Sequence, residues 1–459
     1  MASTMGFLFS LAATLKLLLV FGLFLFLVVV IVGPLVYLYY REKFKVERQK
    51  RNDRLSVGIF HPYANAGGGG EKVLWVAIRA LLENHIKRNF RYPYATLYLY
   101  TGDVAFSPVE IKKKVKDTLN VEIKSDRLKF IYLTSRKWVE ADKYPVFTLL
   151  GQLIGSIYLG FEAINQINPD IFIETTGFTF ILPLFKILGG CKVGCYVHYP
   201  LITKEMLGRV QDRRNIYNNR NFISQSITLT HTKLCYYHAL SWMSLVYPPC
   251  EVDHLKTIEH NSTKPSKIRI LSLAQFRPEK DHPLQLQALY NLREIISDQV
   301  FDNVTLVLCG SCRNEDDYKR VKDLQDFAMH LSLENNVEFK VNISYNDLLE
   351  EFGKAYIGIH TMLDEHFGIS VVEQMAAGLI MVAHKSGGPL LDIIETTTGS
   401  RLGFLATTAG EFSNTLDYII HARDEEINDI RERARASCDR FSVNKFEKDF
   451  LRAIEPIFK

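Results

Sequence analysis

The hydrophobic pattern changes character near residue 40, and the change marks the first boundary. From Leu15 to Tyr40 the chain reads "LKLLLVFGLFLFLVVVIVGPLVYLYY", and beyond Lys16 it carries no charge for about 24 residues. At ~1.5 Å of helix rise per residue that run reaches about 36 Å, enough to cross a ~30 Å hydrocarbon core with some tilt. It is too long for the apolar core of a cleaved signal peptide, and it ends on Tyr39-Tyr40, a pair suited to the membrane interface. The run therefore predicts a transmembrane helix. The flank "REKFKVERQKRNDR" (41–54) holds seven basic and three acidic side chains, against almost none before the helix. The positive-inside rule places everything after Tyr40 in the cytosol. The triplets at Asn261, Asn303 and Asn342, which match the glycan acceptor pattern, are expected to stay unmodified there.

From residue 55 short β-branched runs alternate with amphipathic stretches. "LSVGIFHPYA" (55–64) predicts a strand ending in a Gly-rich turn, and "EKVLWVAIRALLENH" (71–85) a helix with Val73, Leu74, Ala77, Ile78 and Leu81 on one face. "ATLYLYTGD", "LKFIYLT", "DIFIETTGF" and "KVGCYVHYP" continue the series. The prolines of "VYPPCEVD" (246–253) and the polar stretch after them predict a linker. A second series follows: "KIRILSLAQF", "NVTLVLCGS", "NVEFKVNIS", "AYIGIHTML", "LIMVAHKSGGP" and "GFLA". Near-continuous apolar strands between helices imply parallel sheets covered on both faces. The expected architecture is α/β: an anchor and basic flank (1–54), two doubly wound Rossmann-like domains (55–247 and 265–435) joined by a linker (248–264), and a helical end (436–459). Their strand ends face a shared cleft in this reading. "VFTLLGQLIGSIYLGFEAI" (146–164), broken by Gly151, Gly155 and Gly160, reads either as a buried or membrane-surface helix or as a segment in the bilayer.

Composition narrows the function. A net charge of +4 over 459 residues lacks the basic stripe of a nucleic-acid binder. Seven irregularly spaced cysteines suit a reducing compartment. Cys309-Gly-Ser-Cys312 lacks the second pair a metal site needs, so buried or incidental thiols are expected.

Four places carry chemistry. Gly67, Gly68, Gly69 and Gly70 precede Glu71 at a strand-to-helix turn; such a loop is either an anion cradle, approached closely by phosphate, or a plain turn. His198 is expected at the end of "GCYVHYP", facing ligand or bonded in the core. Arg277 and Lys280 in "AQFRPEKDH" follow the first strand of the second domain, as diphosphate ligands or a solvated loop. In "EHFGISVVEQMAAG" two carboxylates, Glu365 and Glu373, bracket an uncharged Phe367-Gly368-Ile369-Ser370 at a predicted helix start. Ser370-x-x-Glu373 fits a capping box, which equals function as an explanation of Glu373; Glu365, in a loop, has no such excuse.

The E-x7-E pair, the G-G-x-E turn (Gly68–Glu71), His198 and Pro278-Glu279-Lys280 together resemble the retaining GT-B glycosyltransferases over roughly residues 55–440. "FHPYANAGGGGEKVLW", "GCYVHYPLI", "VYPPC", "AQFRPEKDHPLQL" and "DEHFGISVVEQMAAGL" are more narrowly similar to the eukaryotic GDP-mannose-dependent alpha-1,2-mannosyltransferases of the dolichol-linked oligosaccharide pathway. The resemblance implies that Glu365 holds the donor sugar and Glu373 the nucleotide ribose. It implies backbone contacts from Phe367, Gly368, Ile369 and Ser370, a diphosphate neutralised by Lys280, and His198 near the transferred sugar. Gly67–Gly70 and Glu71 would line the donor phosphate and acceptor side. The family often carries Arg where this chain has Gln275, and Arg277 is the expected substitute. The implied reaction moves mannose from GDP-mannose, with retention, to a dolichol-diphosphate-linked oligosaccharide with three and then four mannoses. It would occur on the cytosolic face of the endoplasmic reticulum, without a metal or other cofactor, beside other mannosyltransferases of the pathway. The rival readings are a sibling transferase using another sugar nucleotide or linkage, and a non-catalytic membrane scaffold.

Overall fold

Strands form where the chain is apolar toward both faces. β1 (Ser56–Phe60) is buried at all five positions, as a central parallel strand covered by helices must be. The computed structural model describes residues 30–51, 55–83, 95–144, 148–198, 246–260, 263–312, 314–394 and 400–458, which group into two compact units divided between Val197 and His198, with Ile454–Lys459 returning to the first.

In the first unit β1 is joined by β2 (Thr96–Thr101), β3 (Leu128–Tyr132), β4 (Ile171–Glu174) and β5 (Lys192–Cys195), all parallel, in the order β3-β2-β1-β4-β5. The chain first winds outward from β1 to β3, then returns to β4 beside β1. Right-handed crossovers therefore put α2 (Gly69–Glu83) and α3 (Pro108–Leu119) on one face and α4 (Thr148–Gln166) on the other. The face of α2 expected from the sequence, with Val73, Leu74, Ala77, Ile78 and Leu81, is the buried one. Phe172 and Phe185 stack at 3.6 Å in the core.

A further helix, α1, runs over residues 30–50. Its second half belongs to this unit: Phe44 is fully buried, and Arg48 donates to the carbonyls of Pro169 and Gly189, both at 2.8 Å. Residues 15–29, most of the predicted spanning segment, lie outside the described residues. Among the described residues no helix is long and apolar enough to cross a membrane. That includes α4, whose glycines serve packing: a Cβ on Gly155 would sit 1.8 Å from the Trp138 carbonyl oxygen.

The second unit holds β6 (Ile268–Leu273), β7 (Val304–Gly310), β8 (Val337–Val341), β9 (Ile357–His360), β10 (Ile380–His384) and β11 (Phe404–Ala406), parallel in the order β11-β10-β9-β6-β7-β8. α5 (His282–Arg293), α6 (Glu315–His330), α7 (Tyr345–Lys354) and α8 (Ile369–Ala376) connect them in turn, α8 between β9 and β10. The strand order reverses between β6 and β9, and doubly wound sheets bind ligands outside the carboxyl ends of such a pair. The proline-rich stretch before β6 packs into this unit, with Cys250 buried and its N–H bonded to the Phe441 carbonyl at 2.9 Å.

Candidate active site

The reversal between β6 and β9 brings two loops together. After β6 the chain makes a 3₁₀ turn, Pro278–Lys280, and Asp281 in the left-handed region caps α5. After β9 it passes Thr361 to Gly368 and enters α8. Thr361 hydroxyl donates to the Lys280 and Asp281 carbonyls, at 2.9 and 3.0 Å, and accepts from Gln285 Nε2 at 2.8 Å. This staple aims Lys280 Nζ at Glu365 Oε2, 2.5 Å away, with Met362 Sδ at 3.1 Å.

His360, the last residue of β9, places Nε2 3.1 Å from the same carboxylate oxygen, while the His366 N–H donates to Oε1 at 3.1 Å. Burial raises the Glu365 carboxyl, but His360 and the Lys280 charge outweigh it and bring it down to about 2. Glu365 is thus a fixed carboxylate at neutral pH, beside a fixed cation. The loop has a hard backing. The Gly388 N–H donates to the Glu365 carbonyl at 2.8 Å, and a Cβ on Gly388 would lie 2.2 Å from the Phe367 carbonyl oxygen. Phe367 is held between Tyr247 and Phe441, with ring centroids at 5.6 and 5.0 Å.

Gly368 is the N-cap of α8, at φ 104°, a conformation that favours glycine. The capping box expected at Ser370 and Glu373 is therefore not formed: the helix begins at Ile369, which places both residues inside its first turns. Ile369 and Ser370 present N–H groups that have no carbonyl within the helix to bond, the arrangement that accepts a phosphate oxygen. Glu373 is partly exposed one turn on.

Arg277 is not brought to this cluster. It pairs with Glu279 at 3.6 Å and lines a cavity of about 440 Å³ with Asp281, His282, Arg320, Asp323 and Phe327, while Lys280 and Glu365 are not among the lining residues. Its two arginines are matched by two aspartates, so the cavity has no net charge to offer a phosphate. The sequence reading of Arg277 as the replacement for a family arginine is thus not matched by its setting. His282 is buried, stacks on Phe276 at 5.1 Å, and has no hydrogen-bond partner on either ring nitrogen among the described residues.

In the first unit the order reverses between β1 and β4, and the Gly-rich loop leaves β1. Gly67 lies at φ +78° and Gly68–Gly70 lead into α2, which starts at Gly69. Glu71 accepts the Gly68 N–H and faces His61 Nε2 at 3.6 Å. Thr175, at the end of β4, donates to the Phe60 carbonyl (2.9 Å), so its oxygen accepts from His61 Nδ1 (2.8 Å). Burial raises the Glu71 carboxyl, but its contacts with His61 and the Gly68 N–H outweigh that and lower it below its usual range. Glu71 therefore holds the shape of the loop. The strand carrying His198 ends earlier than expected, at Cys195, and His198 lies in the bend that follows.

Sequence reasoning missed His360, Thr361, His61 and the Ser386–Gly388 loop. His360 obeys the strand-end rule that singled out His198, and lies five residues before Glu365. The G-G-P after "LIMVAHKS" was read as part of a strand, although paired glycines before proline announce a turn. Cys309 and Cys312 are free thiols. Among the described residues no group of three His, Cys, Asp or Glu is arranged to hold a metal ion.

Residues 54–267 match the family model described as ALG11 mannosyltransferase N-terminus, and residues 255–437 match glycosyl transferases group 1. A Xenopus laevis protein named GDP-Man:Man(3)GlcNAc(2)-PP-Dol alpha-1,2-mannosyltransferase is 40% identical over 95% of this chain and 95% of its own. The protein of that name from Homo sapiens is 40% identical over 94% and 93%, and that from Dictyostelium discoideum 39% over 90% and 87%. Among solved structures, Anabaena Alr3699/HepE in complex with UDP and glucose superposes with a TM-score of 0.59 at 16% identity, over 88% of this chain and all of that one. A glycosyltransferase from Rickettsia africae gives 0.58 at 15%, over 89% and 100%. These likenesses establish a GT-B-like fold of parallel sheets. With identity near 40% along almost the whole length, the chain belongs to the family of GDP-Man:Man(3)GlcNAc(2)-PP-Dol alpha-1,2-mannosyltransferases.

Proposed function

We propose that the protein transfers mannose from GDP-mannose in alpha-1,2 linkage to dolichol-diphosphate-linked Man3GlcNAc2 and then to the Man4GlcNAc2 product, with retention. The observation that carries this reading is the Lys280–Glu365–His360 cluster beside the open N-terminus of α8, in a chain of this family. Cleaving the donor bond builds negative charge on the leaving diphosphate and positive charge on the sugar. Lys280 and the Ile369 and Ser370 N–H groups are fixed donors for the first, and such preorganised donors lower the barrier most where water is excluded. Glu365, ionised and unable to turn away, accepts from sugar hydroxyls, and Glu373 from the ribose. His360 and the Ser386–Gly388 loop keep Glu365 in place. The leaving diphosphate deprotonates the acceptor hydroxyl on the same face of the sugar, which preserves the configuration; trapping a glycosyl group covalently on a side chain would refute this. Calorimetric titration tests the donor roles. GDP is expected to bind wild type and Glu365→Gln alike, with the additional affinity of GDP-mannose lost in Glu365→Gln. Equal losses for both ligands would remove Glu365 from the sugar.

The same reading has residues 15–40 span the endoplasmic reticulum membrane with both units in the cytosol, and assigns no metal to the reaction. Asn342 fits the topology: its Nδ2, the atom a glycan would be joined to, donates to Tyr318 Oη at 2.8 Å. A glycan found on Asn303 or Asn342 in cells would contradict it. Activity lost in EDTA and restored by a divalent ion would contradict the absence of a metal.

A further inference from the structure

Besides Val104, Phe106 and Val109 around the start of α3, the first unit exposes a group of apolar side chains on α4 and the segment after β4, and this group is continuous with the helix that leads out of the apolar N-terminal run. Ile154, Tyr158, Phe180 and Ile187 are each more than half exposed. The first two lie on α4, where the only charged residue is Glu162. Its carboxylate is turned to the other side, accepting from Thr134 N–H and Ser135 N–H at 2.8 and 2.9 Å. A helix apolar on its outward as well as its inward face is stable in water only if something covers it.

The direction of α1 says what covers it. Tyr40 packs on Phe161 with ring centroids 6.3 Å apart. Lys43 Nζ donates to Asn165 Oδ1 at 2.9 Å, and Arg48 reaches the carbonyls of Pro169 and Gly189. Contacts that advance together along both segments mean that α1 and α4 run in the same direction. One turn back from Tyr40 and Phe161 are Val36 on α1 and Ile157 and Tyr158 on α4, all of them exposed. The apolar start of α1 and the exposed stripe of α4 thus project from the same end of the unit. Beyond Tyr40 the exposed side chains of α1 turn mostly charged, Arg41, Lys45 and Lys50 with Glu42 and Glu47 among them. The flank 41–54 carries seven basic against three acidic residues, and Lys186 lies beside Ile187. Apolar residues, then tyrosines, then lysines, is the order met on leaving a bilayer through its headgroups. Arg48 ties that gradient rigidly to the sheet, through its bonds and its ion pair with Asp170 at 3.2 Å.

We infer that the outward face of α4, with Phe180 and Ile187, is a second membrane contact: it seats in the cytosolic leaflet, with basic residues at the phosphates, and fixes the first unit against the bilayer that α1 leaves. The inference rests on the proposed spanning role of residues 15–40. The lipid-linked acceptor enters from that leaflet, so a seated unit meets it without searching along a free tether.

The experiment uses the full chain in phospholipid vesicles. A photoreactive p-benzoylphenylalanine replaces Tyr158, or, as control, Val109 on α3 across the sheet, which is 75% exposed. Irradiation is expected to join phospholipid to the probe at position 158 and not at 109, read by mass spectrometry. Joining to another polypeptide, or equal labelling at the two positions, overturns the inference. Alkaline carbonate extraction of the same vesicles tests the anchor separately: release of the unirradiated protein refutes the spanning role, while the lipid adduct alone decides the α4 surface. In parallel, Ile154→Glu with Tyr158→Glu is expected to slow transfer to a dolichol-linked acceptor in vesicles at least tenfold, and to a detergent-dispersed short-chain acceptor less than twofold. Equal slowing of both overturns it.

Discussion

Replacing Lys280 by methionine keeps the length of the side chain and removes its charge, leaving Glu365 ionised and only 14% exposed at its side chain without its strongest countercharge. Removing one partner of a buried ion pair costs ~3–5 kcal/mol when nothing else satisfies the survivor. Here His360 Nε2 and the His366 N–H remain, so a loss of about 2–3 kcal/mol is expected. At ~2–4 °C per kcal/mol for a unit of this size, the melting transition should fall by about 4–12 °C. The pH dependence gives the sign independently. A carboxyl depressed to about 2 in the folded state contributes stability that is present above its unfolded value near ~4.3 and is lost as pH falls toward 2. The gap between wild type and Lys280→Met should therefore be full at pH 7, narrow as pH falls below ~4.3 and close only toward pH 2. The double variant Lys280→Met/Glu365→Gln no longer buries a lone charge and should regain about 1–2 kcal/mol over Lys280→Met. Transfer should stay low, by about 10²–10³, in Lys280→Met, in Glu365→Gln and in the double variant, because the diphosphate donor or sugar acceptor is gone. Thermal melts from pH 3 to 8 with steady-state transfer rates measure both. Additive melting shifts, with no recovery in the double variant, would refute the coupling on which the site is built.

Other residues give sharper contrasts. Gly388→Ala should cost ~1–3 kcal/mol and most of the activity, since its Cβ would meet the Phe367 carbonyl rather than a side chain that can move; a fully active, equally stable variant would show that the backing of the Glu365 loop is soft. Arg277→Ala should change kcat/KM less than threefold, because its partner is the exposed Glu279; a hundredfold loss would restore it as a diphosphate ligand. Burial, with the charges of His360, Lys280 and Arg320, brings His282 down to about 4. A histidine held neutral adds stability above its unfolded value of ~6.5 and loses it on descent to 4, about 3 kcal/mol in all. His282→Phe should remove that dependence from melts between pH 4 and 7, and an unchanged slope would contradict it.

The sheets were legible because a strand covered on both faces has nothing polar to hide. Every run read as a strand, from "LSVGIFHPYA" to "GFLA", holds one of β1–β11. Glu365 drew notice for the opposite reason: a carboxylate in a loop beside an aromatic and a glycine has no local structural use, whereas Lys280 lies in the charged run Arg277–Asp281 and only its place after β6 marked it. Ser370 and Glu373 misled because the capping pattern is local, whereas the start of α8 is set by the turn at Gly368 and the packing of Phe367. Arg277 shows that proximity in sequence does not fix a shared partner: three residues apart across a 3₁₀ turn, it pairs with Glu279 and Lys280 with Glu365. Gly388 acts on Glu365 from the loop after β10, which a linear reading does not bring beside it, whereas His360, at the end of β9 and five residues before Glu365, was within reach of the strand-end rule.

The most direct test of the account is transfer itself. The purified full-length protein in detergent would receive GDP-mannose and a dolichol-diphosphate-linked pentasaccharide carrying three mannoses, with Glu365→Gln in parallel, and product mass, linkage and anomeric configuration would be read. The account predicts gain of one and then two mannoses in alpha-1,2 linkage, abolished in the variant. Transfer from another sugar nucleotide but not from GDP-mannose, or undiminished transfer by Glu365→Gln, would contradict it.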